Sequence, residues 1–320
     1  MREEVDRWLR TRTFTAADRP LTQLLVAKRA AGPRGRVSVV LPALNEEATV
    51  GDIVAAVRRE LMEDVPLVDE LVVVDSGSTD RTGQVAREAG ARVVHRDELL
   101  PRLPALPGKG EVLWRSLLAT TGEIVCFVDA DLRDFETRFV YGVVGPLLTD
   151  PDIHLVKAMY DRPLGDNKGG GGRVTELVAR PLLNLHWPEL GGFVQPLGGE
   201  YAARRSLLER LPFPVGYGVE LGLLVDALHV AGLDALAQVD VGVRRHRHQG
   251  SQALGRMAAT IYRTALARLA PDGADPRSAS LVQFTRMEHG GFAPQVHRVD
   301  TAERPPMCTV PEYARQRHVA

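Results

Sequence analysis

Cysteine is nearly absent: the 320 residues contain only Cys126 and Cys308, which excludes a disulfide scaffold and a cysteine-based zinc site. Cys126 lies within Ile124-Val125-Cys126-Phe127-Val128 and reads as a small core residue. Aromatic residues make up only 5%, and Trp114 and Trp187 follow no pattern beyond core packing. No stretch approaches the ~18 uninterrupted apolar residues that a membrane-spanning helix needs. The most apolar candidate, from Val219 onward, is broken by Asp226 and His229. Met1-Arg-Glu-Glu-Val-Asp lacks the apolar core of a secretory signal, so a cytoplasmic protein is expected. Excess charge is missing too. Forty Lys and Arg against 41 Asp and Glu leave −1, which argues against nucleic-acid or membrane partners that depend on bulk positive charge. Lysine is scarce, with Lys28, Lys109, Lys157 and Lys168 alone.

What remains is the balance of a globular chain, 44% hydrophobic and 25% charged, long enough to bury about three-quarters of its unfolded surface. Val37–Leu41, Leu71–Val74, Arg92–His95 and Ile124–Val128 are short, mostly apolar runs. They alternate with helical patterns over Glu46–Glu60, Thr79–Ala89 and Gly110–Thr121. Strands apolar throughout, separated by helices, predict an α/β fold with a Rossmann-like, mostly parallel sheet covered on both faces. The second half reads as a strand at Ile153–Tyr160, a glycine-rich loop at Asp166–Gly172 and a helix at Arg173–Leu185 interrupted by Pro181. A helix at Gly218–Ala231, a strand at Ala235–Val243 and a helix at Ser251–Leu269 follow.

Ligands of such sheets bind beyond the carboxyl ends of the strands, so the residues there are the candidates. The first strand runs into Pro42-Ala43-Leu44-Asn45-Glu46 with no glycine. The Gly-x-Gly-x-x-Gly of a dinucleotide fold is absent. Asp75, at the end of the second strand, is a candidate for holding a base or ribose. Ser78 or Thr79 is expected to cap the next helix, with Gly77 allowing a tight turn. Lys109, between Gly108 and Gly110, is placed to approach phosphate or ribose oxygens; a solvent-exposed loop lysine is the bland alternative.

Asp129 and Asp131 carry the strongest signal. Two carboxylates at i and i+2 after a buried strand repel each other and lose hydration, a cost that a divalent cation bridging to a diphosphate relieves. Asp134 reads as a helix cap. His246, after the last strand, is the candidate second metal ligand beside Asp131; one imidazole among oxygens suits Mg²⁺ or Mn²⁺. Gly172, Arg173 and Thr175 at a helix start make an anion site. Glu220, on an apolar helix, either pairs with a buried arginine or binds ligand hydroxyls.

Together, Pro42–Glu46, Asp75-Ser-Gly-Ser-Thr-Asp80, Pro107-Gly-Lys-Gly-Glu111, Asp129-Ala-Asp131, Gly198-Gly-Glu-Tyr201, Gly216-Tyr-Gly-Val-Glu220 and Val243-Arg-Arg-His246 resemble the bacterial glucosyl- and mannosyl-3-phosphoglycerate synthases, retaining glycosyltransferases of GT-A fold. The resemblance implies a nucleotide sugar and 3-phosphoglycerate as partners, and a homodimer. It places Asp131 and His246 on the metal, and Pro42, Ala43, Leu44, Glu46, Ser76, Lys109, Asp129 and Ala130 around the nucleotide. Leu197, Tyr217 and Glu220 fall near the hexose, and Gly172, Arg173, Thr175 and His248 on the acceptor side. Asp131, Glu220 and Lys109 carry catalysis in this reading. The domains expected are an arm (1–35), a nucleotide-sugar unit (36–150), an acceptor-binding part of the same fold (151–270) and a tail (271–320), mobile or engaged with another subunit. His248 and the Asp166–Gly172 loop depart from the glucosyl enzymes, and the expectation leans to mannosyl transfer from GDP-mannose over glucosyl transfer from UDP-glucose. A nucleotidyltransferase and a non-catalytic sugar-nucleotide binding module are the alternatives of other classes.

Overall fold

The computed structural model describes residues 2–162, 172–245, 250–270, 278–299 and 302–319. The chain begins with α1 (Glu3–Arg12), β1 (Thr13–Thr15) and α2 (Leu21–Ala31). The alternating region follows: β2 (Val37–Ala43), α3 (Val50–Arg58), β3 (Glu70–Asp75), α4 (Thr82–Glu88), β4 (Arg92–His95), α5 (Lys109–Ala119), β5 (Ile124–Phe127) and α6 (Arg138–Thr149). Then come β6 (Leu155–Asp161), α7 (Arg180–His186), β7 (Tyr201–Arg204), α8 (Arg205–Leu208), β8 (Phe213–Pro214), α9 (Val219–Ala231), β9 (Leu236–Val243) and α10 (Ser251–Leu269). The chain closes with β10 (Ser280–Arg286), β11 (Phe292–Arg298), β12 (Glu303–Arg304) and α11 (Pro311–Val319).

Among the described residues, eight strands form one sheet in the order β1-β9-β6-β7-β5-β2-β3-β4. All its pairings are parallel except those of β7, which runs antiparallel to β5 and β6. The expected α/β architecture is therefore present, and its physical basis is the side-chain alternation. Val40, Val72, Val74, Val125 and Phe127 point into one core with Trp114 and Leu223. Val39, Leu41, Val73, Ile124 and Cys126 point into the other with Ile53, Val57 and Val143. A strand buried on both faces has no polar side, which is why these runs read as continuously apolar. Covering helices supply the matching stripes: α3 buries Val50, Ile53, Val54 and Val57, a helical spacing.

Four elements differ from the sequence reading. The strand β7 carries only Tyr-Ala-Ala-Arg between a glycine pair and a second arginine, too short and too poor in branched residues to register as a strand. The amino-terminal arm does more than lie against the body: β1 pairs with β9 as an edge strand, and buried Trp8 donates from Nε1 to the Leu236 carbonyl at 2.7 Å. The Arg173–Leu185 helix accommodates Pro181 through a π-helical turn over Thr175–Ala179, leaving the proline at the start of α7, where its missing N–H costs little. The tail, expected to be mobile or engaged elsewhere, is docked over residues 302–319. There β12 pairs with β8, Met307, Val310 and Tyr313 are buried, and Arg304 donates to buried Glu111 at 2.6 and 2.9 Å.

Candidate functional site

A cleft of about 700 Å³ opens at the carboxyl ends of β2, β3 and β5 and is closed by the segments after β6 and β9, by the segment before the antiparallel β7 and by α10. Its near wall is a pair of interlocked loops. Asn45 takes φ +58°, a left-handed conformation that asparagine tolerates, and its Oδ1 accepts from Thr79 N at 2.8 Å. Its own amide donates to Ser78 Oγ at 3.0 Å, and Glu46 N donates to Thr82 Oγ1 at 2.8 Å. Ser78 and Thr79 thus tie the loop after β3 to the loop after β2 and do not cap α4. Asp80 Oδ1 accepts from the amide of Thr82, the first residue of α4, at 2.9 Å. Asp75 is spent locally as well: its Oδ1 accepts from Gly77 N at 3.1 Å and Ser78 N at 2.8 Å, and it does not line the cleft. Its placement speaks for a turn-forming role over the base-holding one expected. Asp134 also departs from expectation; it has φ +52° and an exposed contact with Arg245 at 3.3 Å, while α6 begins at Arg138.

The acidic pair sits at the centre. Lys109 Nζ contacts Asp129 Oδ1 and lies 2.8 Å from Glu220 Oε1. Arg244 Nη2 lies 2.8 Å from Asp129 Oδ2 and 3.3 Å from Asp131 Oδ1. Arg244 is itself anchored from behind. Its Nε donates to Glu200 Oε1 at 2.9 Å, and Tyr160 OH donates to Glu200 Oε2 at 2.7 Å; Glu200 is fully buried. Glu220 therefore pairs with a lysine, not an arginine, while still facing the cleft.

This wiring treats the two aspartates oppositely. Burial pushes the Asp129 carboxyl up, but Lys109 and Arg244 outweigh it and hold it well below the usual carboxylate range. For Asp131, burial and the adjacent Asp129 charge prevail over Arg244, and its carboxyl is raised. Burial lowers Lys109, yet Asp129 and Glu220 more than restore it. Behind them, burial lowers the Lys157 ammonium to about 8; it donates to the Gly198 carbonyl at 2.7 Å and fixes the loop beside the cleft.

Pro42, Ala43, Leu44, Glu46, Ser76, Lys109, Asp129, Ala130, Asp131, Gly172, Arg173, Thr175, Leu197, Tyr217 and Glu220 all line this one cleft. His246 and His248 lie outside the described residues. Sequence reasoning passed over Arg244, Tyr160, Arg162 and Arg96, which also line it, and gave Glu200 no role. Arg244 stands two residues before His246 and directly after β9, and Tyr160 and Arg162 lie at the end of β6, so all three belong to the same class of strand-end positions.

The Glycosyl transferase family 2 profile matches residues 38–173. The glucosyl-3-phosphoglycerate synthase of Mycolicibacterium smegmatis is 50% identical over 309 residues, covering 95% of this chain and 98% of that protein. The chain belongs to the glucosyl-/mannosyl-3-phosphoglycerate synthase family. Solved relatives agree. The mannosyl-3-phosphoglycerate synthase of Rubrobacter xylanophilus superposes with a TM-score of 0.88 at 40% identity, covering 95% of this chain and 99% of that one. The glucosyl-3-phosphoglycerate synthase of Mycobacterium tuberculosis, solved with Mn²⁺, UDP and glucosyl-3-phosphoglycerate, gives 0.80 at 49% identity over 90% of this chain and 95% of that one. The fold is GT-A, and as a member of this family the protein is a nucleotide-sugar-dependent glycosyltransferase.

The acidic pair fits the divalent cation such enzymes use. Hard carboxylate oxygens suit Mg²⁺ or Mn²⁺, Asp131 is the acid whose charge this chain leaves under-compensated, and Arg244 shows that cationic groups settle against both carboxylates. Among the described residues no group of three or more His, Cys, Asp and Glu side chains could hold an ion. Close packing also fixes the pair. A Cβ at Gly199 would overlap Asp129 Oδ2 and Lys109 Nζ. Gly199→Ala is therefore expected to lower kcat/KM about a hundredfold by displacing the carboxylate without changing the circular dichroism spectrum; steady-state kinetics check this.

Proposed function

We propose that this chain, a sugar-3-phosphoglycerate synthase by family, transfers glucose from UDP-glucose to the 2-hydroxyl of 3-phosphoglycerate with retention of configuration. The observation that carries the reading is the degree of identity. Relatives at 50% are named glucosyl-3-phosphoglycerate synthases, and a relative at 48% was solved with Mn²⁺, UDP-glucose and phosphoglyceric acid together. The mannosyl enzyme stands at 40%. Identity thus favours glucose over the mannosyl transfer anticipated from the sequence, although the backbone lies nearer the mannosyl enzyme, 0.88 against 0.80 in TM-score.

In this reading the diphosphate lies across the ends of β5 and β2. Asp131 holds the cation, with His246 as the proposed second protein ligand. A bound Mg²⁺ or Mn²⁺ neutralises charge on the departing diphosphate. Asp129, fixed by Lys109 and Arg244, keeps the ammonium of Lys109 beside the donor. Leu197, Tyr217 and Glu220 wall the hexose. Gly172, Arg173 and Thr175 open the helical segment that continues into α7, so amide groups, a guanidinium and a hydroxyl converge on the acceptor's phosphate and carboxylate. Glu220 is the carboxylate beside the hexose, and it is engaged by Lys109. The acceptor hydroxyl attacks from the face of the leaving group and passes its proton to a diphosphate oxygen, with orientation supplying much of the acceleration.

The test is a donor panel: UDP-glucose, GDP-glucose and GDP-mannose with Mg²⁺ and 3-phosphoglycerate, following nucleotide release and the product's anomeric signal. UDP-glucose is expected to exceed GDP-mannose at least about tenfold in kcat/KM and to give an α-glycoside. Preference for GDP-mannose would assign the mannosyl branch. Pyrophosphate release from a nucleoside triphosphate would make the protein a nucleotidyltransferase, and nucleotide binding without product from any acceptor would make it a binding module.

A further inference from the structure

We infer that Arg96 reads the outer edge of the donor's nucleobase, admitting bases with a keto oxygen there and rejecting those with an amino group. The inference rests on the sugar-nucleotide reading above and adds a rule for the base.

The sheet acts as a ruler. The strands β5, β2, β3 and β4 are consecutive neighbours, and adjacent strands lie about 4.8 Å apart. From the acidic pair after β5 to the residue after β4 is three steps, about 14 Å, comparable to the extended length of a nucleoside diphosphate. With the diphosphate at Asp129 and Asp131, the ribose falls over Pro42–Leu44 and the base over the ends of β3 and β4. That end of the cleft is lined by Leu44, Ser76 and Arg96. Gly77, at φ +98°, puts no side chain between the two strand ends; the nearest atom to where its Cβ would stand is His95 Nε2 at 4.0 Å. That leaves an open slot beside Gly77.

Arg96 closes that slot. Its side chain is only 16% exposed, and its Nε donates to Asp97 Oδ1 at 2.9 Å. The ion pair orients the guanidinium, whose two terminal nitrogens make no hydrogen bond among the described residues. Those nitrogens are donors only and cannot lose their proton. Uracil O4 and guanine O6 accept hydrogen bonds, whereas the cytosine N4 and adenine N6 amines at the matching positions donate. A guanidinium facing this edge pairs with uracil or guanine and meets an opposed donor on cytosine or adenine. Three strands from the acidic pair, it is too remote to act as a diphosphate counter-ion.

UDP and CDP differ in this base edge while sharing ribose and diphosphate, so calorimetric titration of both, with Mn²⁺ present, tests the rule. The wild-type protein is expected to bind UDP at least about tenfold more tightly than CDP, the lower range for one such pairing. Arg96→Ala should bring the ratio near one, mainly by weakening UDP. Arg96→Gln, which offers an acceptor oxygen, should bind CDP more tightly than the wild type does. Equal weakening of UDP and CDP in both variants would overturn the inference and assign Arg96 to phosphate or to structure; so would equal wild-type affinities. A wild-type protein that binds neither nucleotide would instead bring down the sugar-nucleotide reading itself, and the rule with it.

Discussion

Replacing Asp131 with asparagine is expected to abolish turnover, by at least about a thousandfold, and to raise the melting temperature of the metal-free protein at neutral pH. The two effects share one cause. Buried next to Asp129, the Asp131 carboxyl is raised above its ordinary value, so its ionised form is less favourable folded than unfolded. A carboxyl with a raised folded pKa destabilises the native state above that pKa and contributes nothing below its unfolded value near 3.9. Removing the charge therefore stabilises the fold at pH 7, and the advantage over wild type should shrink as pH falls toward about 4. Asp129→Asn should do the reverse. Held low by Lys109 and Arg244, Asp129 stabilises the fold above its unfolded pKa, and that contribution is lost as pH falls. Its removal leaves Lys109 to Glu220 and Arg244 to Glu200 and Asp131, at a cost of about 1–3 kcal/mol, or several degrees in Tm. Melting in chelator from pH 4 to 8 separates the two signs. A loss of stability in both variants would show that the pair is structural.

Arg173→Ala carries the other large effect. Arg173 lines the cleft with Gly172 and Thr175 at a helical start. Two charge-assisted hydrogen bonds to phosphate or carboxylate, each worth about 1.5–3 kcal/mol, correspond to about a hundredfold or more in KM for 3-phosphoglycerate. The KM for the sugar nucleotide should stay within about threefold. Equal loss for both substrates would remove Arg173 from the acceptor site.

The sequence exposed the parallel sheet because strands buried on both faces admit only apolar residues, and exposed the cleft because each strand announces its own end. Asp129 and Asp131 were legible for the same reason: two acids directly after Phe127-Val128 have no ordinary structural use. What stayed hidden was which partner each polar side chain takes. Asp75 stands at a strand end like Asp129, but only the Gly77 and Ser78 amides beside it reveal that its oxygen serves the turn. Arg244 is one of thirty-six arginines, unremarkable until Glu200, 44 residues before it, is seen to grip its Nε. The β7 strand escaped notice because Ala202 and Ala203 carry no β signal, and its antiparallel course depends on the strands on either side.

The central claim is that this acidic pair holds a divalent ion together with the nucleotide. Paramagnetic-resonance titration of Mn²⁺ into the protein, with and without UDP, tests it most directly. The account predicts that UDP sharply tightens Mn²⁺ binding in the wild type and that Asp131→Asn, still folded, loses the UDP-dependent signal. Undiminished Mn²⁺–UDP binding by that variant would contradict it.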